Sequence, residues 1–412
     1  MQLRVPEPFQ PFHRSIAVAH LRNLRDVLSK LVHDVSASET KHLRGVERQL
    51  LSTSKDLKNA DLKGRHTIET HDTHVVSPRP TGAGGLTMPE SPREVHMMWT
   101  KMSRSDKDEL HKMDPFIGNR DGIPQHDRDH YNRQTLRILR ENSVTARDFE
   151  STAHYDLIER ALESRPGSPQ RYLSALDRKF RCSIAVGNPD NAKNVVTNVI
   201  GAESNPSGIR GWANVSESLR RSAIAADPAA ETSVIAWAGY DRPPTISRAI
   251  DPKYAREAAP RLVRHQEGLA VTNNQSPPHR TVVGHSYGSL VAGSAASHGL
   301  TLPADNLVFT GSFGVGANYA KDLSLTGTAS DISRRVFATM AEHDSIQLMP
   351  RPHGPLPTTS DFGGTVFATD SSRGPWTSLG WNSDAHDSYW SSTNSAMQKM
   401  GLIVTGHGHL AM

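Results

Sequence analysis

The chain has 412 residues, with 47 Lys and Arg against 43 Asp and Glu, for a net charge of +4. That length suggests about two or three domains and a full hydrophobic core, and the single cysteine, Cys182, excludes a disulfide framework and a cysteine-clustered zinc site. No run of about 18 apolar residues offers a membrane-spanning helix, and the two signs of charge are mixed without the one-signed block expected of a nucleic-acid-binding protein.

Residues 1–10 are polar and proline-bearing and lack the apolar core of a secretory signal, so a cytoplasmic protein is the expectation. The charge is unevenly spread. Residues 1–150 hold 45 of the 90 ionic side chains, and 11 of the 21 histidines precede residue 131. Residues 13–51 read as amphipathic helix, since Ile16, Leu21, Leu24, Leu28, Leu31, Val32 and Val35 recur mostly at three-to-four spacing and Leu43, Val46, Leu50 and Leu51 extend the stripe. Periodicity is lost over 52–92, and 75–92 (VVSPRPTGAGGLTMPESP) has the composition of a linker. Ser91-Pro92-Arg93-Glu94 then predicts a helix start, with Ser at the N-cap, Pro first and Glu third. A second start is read at residues 103–106. The division is therefore 1–74 helical, 75–92 linker, 93–150 helical lead-in and 151–412 catalytic.

After about residue 183 the texture changes. Apolar runs at 195–200, 233–238, 281–283 and 306–310 each end at glycine, and 335–339 leads into a turn containing Asp344. Helical stretches separate them. Alternation of this kind predicts an α/β fold with a mostly parallel sheet and helices on both faces.

Gly284-His285-Ser286-Tyr287-Gly288 reads G-x-S-x-G. Between an apolar strand and the small-residue run 289–296, it has the strand–turn–helix context of a nucleophile elbow, with glycines where side chains would collide with the neighbouring strand and helix. A serine hydroxyl needs a base, and the base needs a carboxylate to orient it. In this arrangement the chain order is Ser, acid, His. Asp344 and Glu342, in the turn after 335–339, are the candidate acids, Asp344 better placed; Asp331, Asp361 and Asp370 read as turn residues. The candidate bases are His386, in a polar loop before a helical stretch, His353, soon after the acid in a Pro-rich loop, and His407 and His409, which read as a frayed tail. The oxyanion donors are expected from the N–H of Tyr287 and from Gly201 and Ala202, with Gly239 and Tyr240 the second choice. Tyr240 and Asp241 lie at a strand end, where ligands of open α/β sheets bind, and are candidate pocket residues. His285, inside the elbow, packs beneath it and is a further candidate for the pocket. Residues 119–124 (NRDGIP) read as a turn joining helices or an active-site lid.

These stretches together resemble the actinobacterial α/β-hydrolases once grouped as domain of unknown function 1023. The likeness runs over roughly residues 91–405: SPREVHMMW at 91–99, IGNRDGIP at 117–124, GNPDNAKN at 187–194, WAGYD at 237–241, VGHSYGS at 283–289, Gly311-Ser312 with Gly314-Val315-Gly316, and AHDSY at 385–389. The resemblance implies an α/β-hydrolase fold with Ser286 as nucleophile, Asp344 as acid and His386 as base. Where that family carries a Pro-Gly-Thr-Gly type loop, this chain reads Ile200-Gly201-Ala202-Glu203. The expected activity is hydrolysis of an ester or related acyl bond of a small molecule or lipid, with no metal or organic cofactor and no nucleic acid. A non-catalytic binding protein on the same fold, or an acyltransferase with the same triad, is the alternative.

Overall fold

The computed structural model describes residues 88–412 except 165, 202–207, 275–276, 327–330, 371–380 and 382. The expected helix over 13–51 and most of the expected linker lie outside the described residues, as do Ala202 and Glu203.

Among the described residues four helices lead in: α1 (Pro92–Trp99), α2 (Arg104–Met113), α3 (Gln125–Thr145) and α4 (Phe149–Ala161). Ser91 makes no side-chain capping bond, so α1 starts on Pro92, whose fixed φ suits the first helical turn, with Glu94 near the positive end of the helix. α2 starts on a complete capping box, Ser103 and Asp106 each satisfying the other's backbone N–H. The turn at 119–124 is held from both sides. Asn119 exchanges two hydrogen bonds with the backbone of Leu176, and Arg128 reaches Asp121 at 3.3 Å and the Ser174 carbonyl at 2.9 Å.

Among the described residues the sheet has eight strands: β1 (Arg171–Leu176), β2 (Cys182–Val186), β3 (Asn194–Val199), β4 (Thr232–Trp237), β5 (His279–His285), β6 (Asn306–Thr310), β7 (Val336–Thr339) and β8 (Thr365–Val366), in the order β1-β2-β4-β3-β5-β6-β7-β8. β2 is antiparallel to both its neighbours, and every other pairing from β4 to β8 is parallel. The sequence reading missed β1, β2 and β8. β1 carries Arg171 and Ser174, which look wrong for a buried strand. Both are satisfied inside, Arg171 by Glu217 at 2.8 Å and Ser174 by Gln125 at 2.9 Å.

Alternation along the central strands divides the core in two. Val195, Val199, Val282, Leu307 and Phe309 pack against α6 (Lys253–Thr272) and α7 (Tyr287–Ala295). Val196, Val234, Val283, Val308 and Phe337 pack against α5 (Ile209–Ala226) and α9 (Ser395–Val404). Each such buried side chain stabilises the fold by roughly 1.5–3 kcal/mol, and both faces are covered, as a parallel sheet requires. The C-terminus is not frayed: Gly408 lies against the Phe337 ring and Ala411 is buried. None of the described helices is long and apolar enough to cross a membrane.

The parallel register fixes where chemistry can occur. Val199 faces Gly284, Gly284 faces Phe309, and Thr310 faces Thr339. The carboxyl ends of β3, β5, β6 and β7 therefore emerge side by side along one sheet edge.

Candidate active site

Ser286 occupies the junction between β5 and α7 with φ 54° and ψ −126°, a region that costs a non-glycine residue about 1–3 kcal/mol. Its N–H donates to the Thr310 carbonyl at 3.0 Å, which ties the strained turn to β6. The flanking glycines make the turn possible. A Cβ on Gly288 would stand 2.1 Å from the Val199 carbonyl oxygen, and one on Gly284 would stand 2.6 Å from Ser289 Cα. Helix α7 leaves from this turn, so Tyr287 N–H is among the first amides of a helix, which have no partner within it.

His386 sits in α8 (Asp384–Asp387), a single helical turn between β8 and α9. Its Nδ1 donates to the Asp344 carboxylate, at 2.9 Å from Oδ2 and 3.1 Å from Oδ1. Asp344 follows β7 and is fully buried. Burial alone would raise its carboxyl, but His386, the Tyr389 hydroxyl at 2.6 Å and the Ile346 N–H at 2.9 Å hold it below the usual carboxylate range. Gly311, at the end of β6, has φ 55°, and a Cβ there would stand 3.1 Å from two atoms of the His386 ring. Gly201 lies beside the elbow, since a Cβ on it would stand 2.9 Å from Ser286 Cβ and 3.5 Å from Oγ. One sheet edge thus carries Ser286, Gly201 and the His386–Asp344 pair.

The other candidate acids and bases lie elsewhere. Glu342 is exposed; Asp331 accepts from Ser333 N–H and Asp370 from Ser395. His353 is buried with its Nε2 3.0 Å from the Ala249 carbonyl, and His407 contacts Thr405. Cys182 is no rival nucleophile, because burial pushes its thiol up to about 12. Among the described residues no group of three or more His, Cys, Asp or Glu could hold a metal ion.

The three candidate pocket residues make the following contacts. Tyr240 is 1% exposed, and its hydroxyl donates to the Ile200 carbonyl at 2.6 Å, so it braces the segment leading to Gly201 from behind. Asp241 turns to Arg181 at 3.1 Å. His285 is 3% exposed and lies under His386: its Nε2 donates to the His386 carbonyl at 2.8 Å, its ring centroid is 4.7 Å from that of His386, and Trp212 and Trp390 stand 5.5 Å away. Sequence reasoning assigned no role to Trp212, Tyr389 or Trp390. The available signal was Tyr389, three residues after His386 and so on the same side of a helical turn.

His285 also makes stability depend on pH. Burial, followed by the neighbouring His386, pushes its imidazole down to about 3. The unfolded chain protonates it near pH 6.5. Its contribution is therefore complete above about pH 6.5 and drains away as pH falls toward about 3. Urea unfolding at pH 7 and pH 5 measures this. His285→Gln, which does not titrate, should lose about 2 kcal/mol less than the wild type over that interval; equal losses in both proteins would show the pH dependence to lie elsewhere.

The chain is similar to several known proteins. Residues 177–353 match the family described as alpha/beta hydrolase. An uncharacterized protein of Mycobacterium bovis is 30% identical over 201 residues, which cover 45% of this chain and 73% of the relative. An uncharacterized protein of Mycobacterium tuberculosis is 28% identical over 401 residues, covering 79% of this chain and 60% of its own length. The chain thus spans about 60% of the first curated relatives it matches. Among solved structures, the esterase LipW from Mycobacterium marinum is 14% identical with a TM-score of 0.36, covering 66% of this chain and 90% of that one. A Trichoderma reesei cutinase in complex with a phosphonate inhibitor is 13% identical with a TM-score of 0.29, covering 53% and 78%. The chain belongs to the alpha/beta hydrolase family.

Proposed function

We propose that this protein is a serine hydrolase cleaving an ester or related acyl bond of a small molecule or lipid through an acyl-enzyme. One observation carries the reading. A serine on a strained strand-to-helix turn shares its sheet edge with a histidine whose Nδ1–H is held by a buried carboxylate. With Nδ1 committed to Asp344, the free lone pair of the neutral ring is on Nε2, the nitrogen that must take the serine proton.

In this mechanism Ser286 Oγ attacks the substrate carbonyl carbon while His386 Nε2 takes its proton. The carbonyl oxygen becomes an oxyanion, stabilised by Tyr287 N–H at the positive end of α7 and by backbone at Gly201–Ala202. Asp344 stabilises the imidazolium. His386 then protonates the departing alkoxide, leaving Ser286 acylated. A water, deprotonated by His386, attacks the acyl carbon, and collapse of that intermediate returns the proton to Ser286 and releases the acid. We further propose, from the resemblance of the residue stretches named above, that the chain is one of the actinobacterial hydrolases once grouped as domain of unknown function 1023.

A fluorophosphonate probe tests the proposal. The wild type should gain one phosphonyl adduct on the peptide containing Ser286, and should hydrolyse p-nitrophenyl acetate or butyrate. A protein that neither labels nor turns over either ester would be a non-catalytic member of the fold.

A further inference from the structure

The Tyr389 hydroxyl is fixed at both ends. It accepts from the Ala341 backbone N–H at 2.9 Å, and its one proton points to Asp344 Oδ2 at 2.6 Å. The ring is fully buried, and burial, then the charge of Asp344, pushes the phenol far above its ordinary value, so it stays a donor at any working pH. Oδ2 is also the carboxylate oxygen nearer to His386 Nδ1. The same atom thus serves the base and the tyrosine, while Oδ1 is held by Ile346 N–H.

We propose that Tyr389 is a positioning residue for the triad: its hydroxyl aims the Asp344 carboxylate at His386 and takes up part of the charge that would otherwise act on the imidazole. The inference rests on the hydrolase reading of the same site. The sign of its effect follows from electrostatics. A donor on Oδ2 disperses the carboxylate charge, so the carboxylate attracts the imidazolium less strongly. Removing that donor strengthens this attraction. The other groups acting on His386 are His285 from β5, Asp387 from its own turn, which also carries Asp384, and Asp344 itself. None of these changes when Tyr389 loses only its hydroxyl.

The test is the pH profile of kcat/KM for a p-nitrophenyl ester in Tyr389→Phe. Its acid limb should move up by about 0.5–1 pH unit, and plateau kcat should fall about tenfold with KM unchanged. A second protein, carrying 3-fluorotyrosine at position 389, has a more acidic phenol and a stronger donor, and should move the acid limb the other way. A purely structural role would lower the melting temperature of Tyr389→Phe and leave the acid limb in place in both proteins, which would overturn the proposal. Failure of the hydrolase reading is distinguishable, because the wild type itself would then neither label with fluorophosphonate nor turn over.

Discussion

Ser286→Ala should lower kcat for p-nitrophenyl esters by about a million-fold, to the level that binding and oxyanion stabilisation alone sustain. The reason is chemical: without Oγ no acyl-enzyme forms, and His386 has no proton to take from a nucleophile. The fold should survive, because the contact that ties residue 286 to β6 is made by its backbone N–H, which alanine keeps. Turnover followed by p-nitrophenolate release, beside a thermal melt, measures both. A variant that melts like the wild type and still hydrolyses at an undiminished rate would remove Ser286 from the mechanism.

Asp344→Asn should lower kcat by about ten-thousand-fold while preserving volume. An asparagine that presents its amide nitrogen to His386 Nδ1 makes that nitrogen an acceptor and moves the ring proton to Nε2. The base then faces the serine with a proton already in place. Glu342→Gln is the matched control. Glu342 is exposed on the same loop, and its change should alter kcat by less than about twofold. The reverse result, a large loss at 342 and none at 344, would move the acid role two residues back along the chain.

Parts of this arrangement were legible in the chain because they are local. The glycines at 284 and 288, the apolar run before them and the small residues after them specify a strand–turn–helix whatever surrounds them. The parallel strands β3 to β7 were visible as β-branched runs ending in turn residues. β1 was not, because Arg171 and Ser174 look like surface residues until Glu217 and Gln125 arrive from 46 and 49 positions away. His285 was readable as part of the elbow, but not as a donor to a carbonyl 101 residues distant.

The sequence by itself determined the strand–turn–helix at Ser286, the α/β alternation and a short set of candidate acids and bases, since each follows from local spacing, propensity and chain order. The tertiary structure decided which of these groups meet. Only the parallel register aligns the carboxyl ends of β3, β5, β6 and β7 on one edge. Only the packing of α8 against that edge pairs His386 with Asp344, sets Tyr389 on the same carboxylate and turns Tyr240 into a brace. The physical reason is range. Helix, strand and turn signals act over a few residues, whereas the hydrogen bonds that orient a buried carboxylate join atoms 42 and 45 residues apart, which no local pattern encodes.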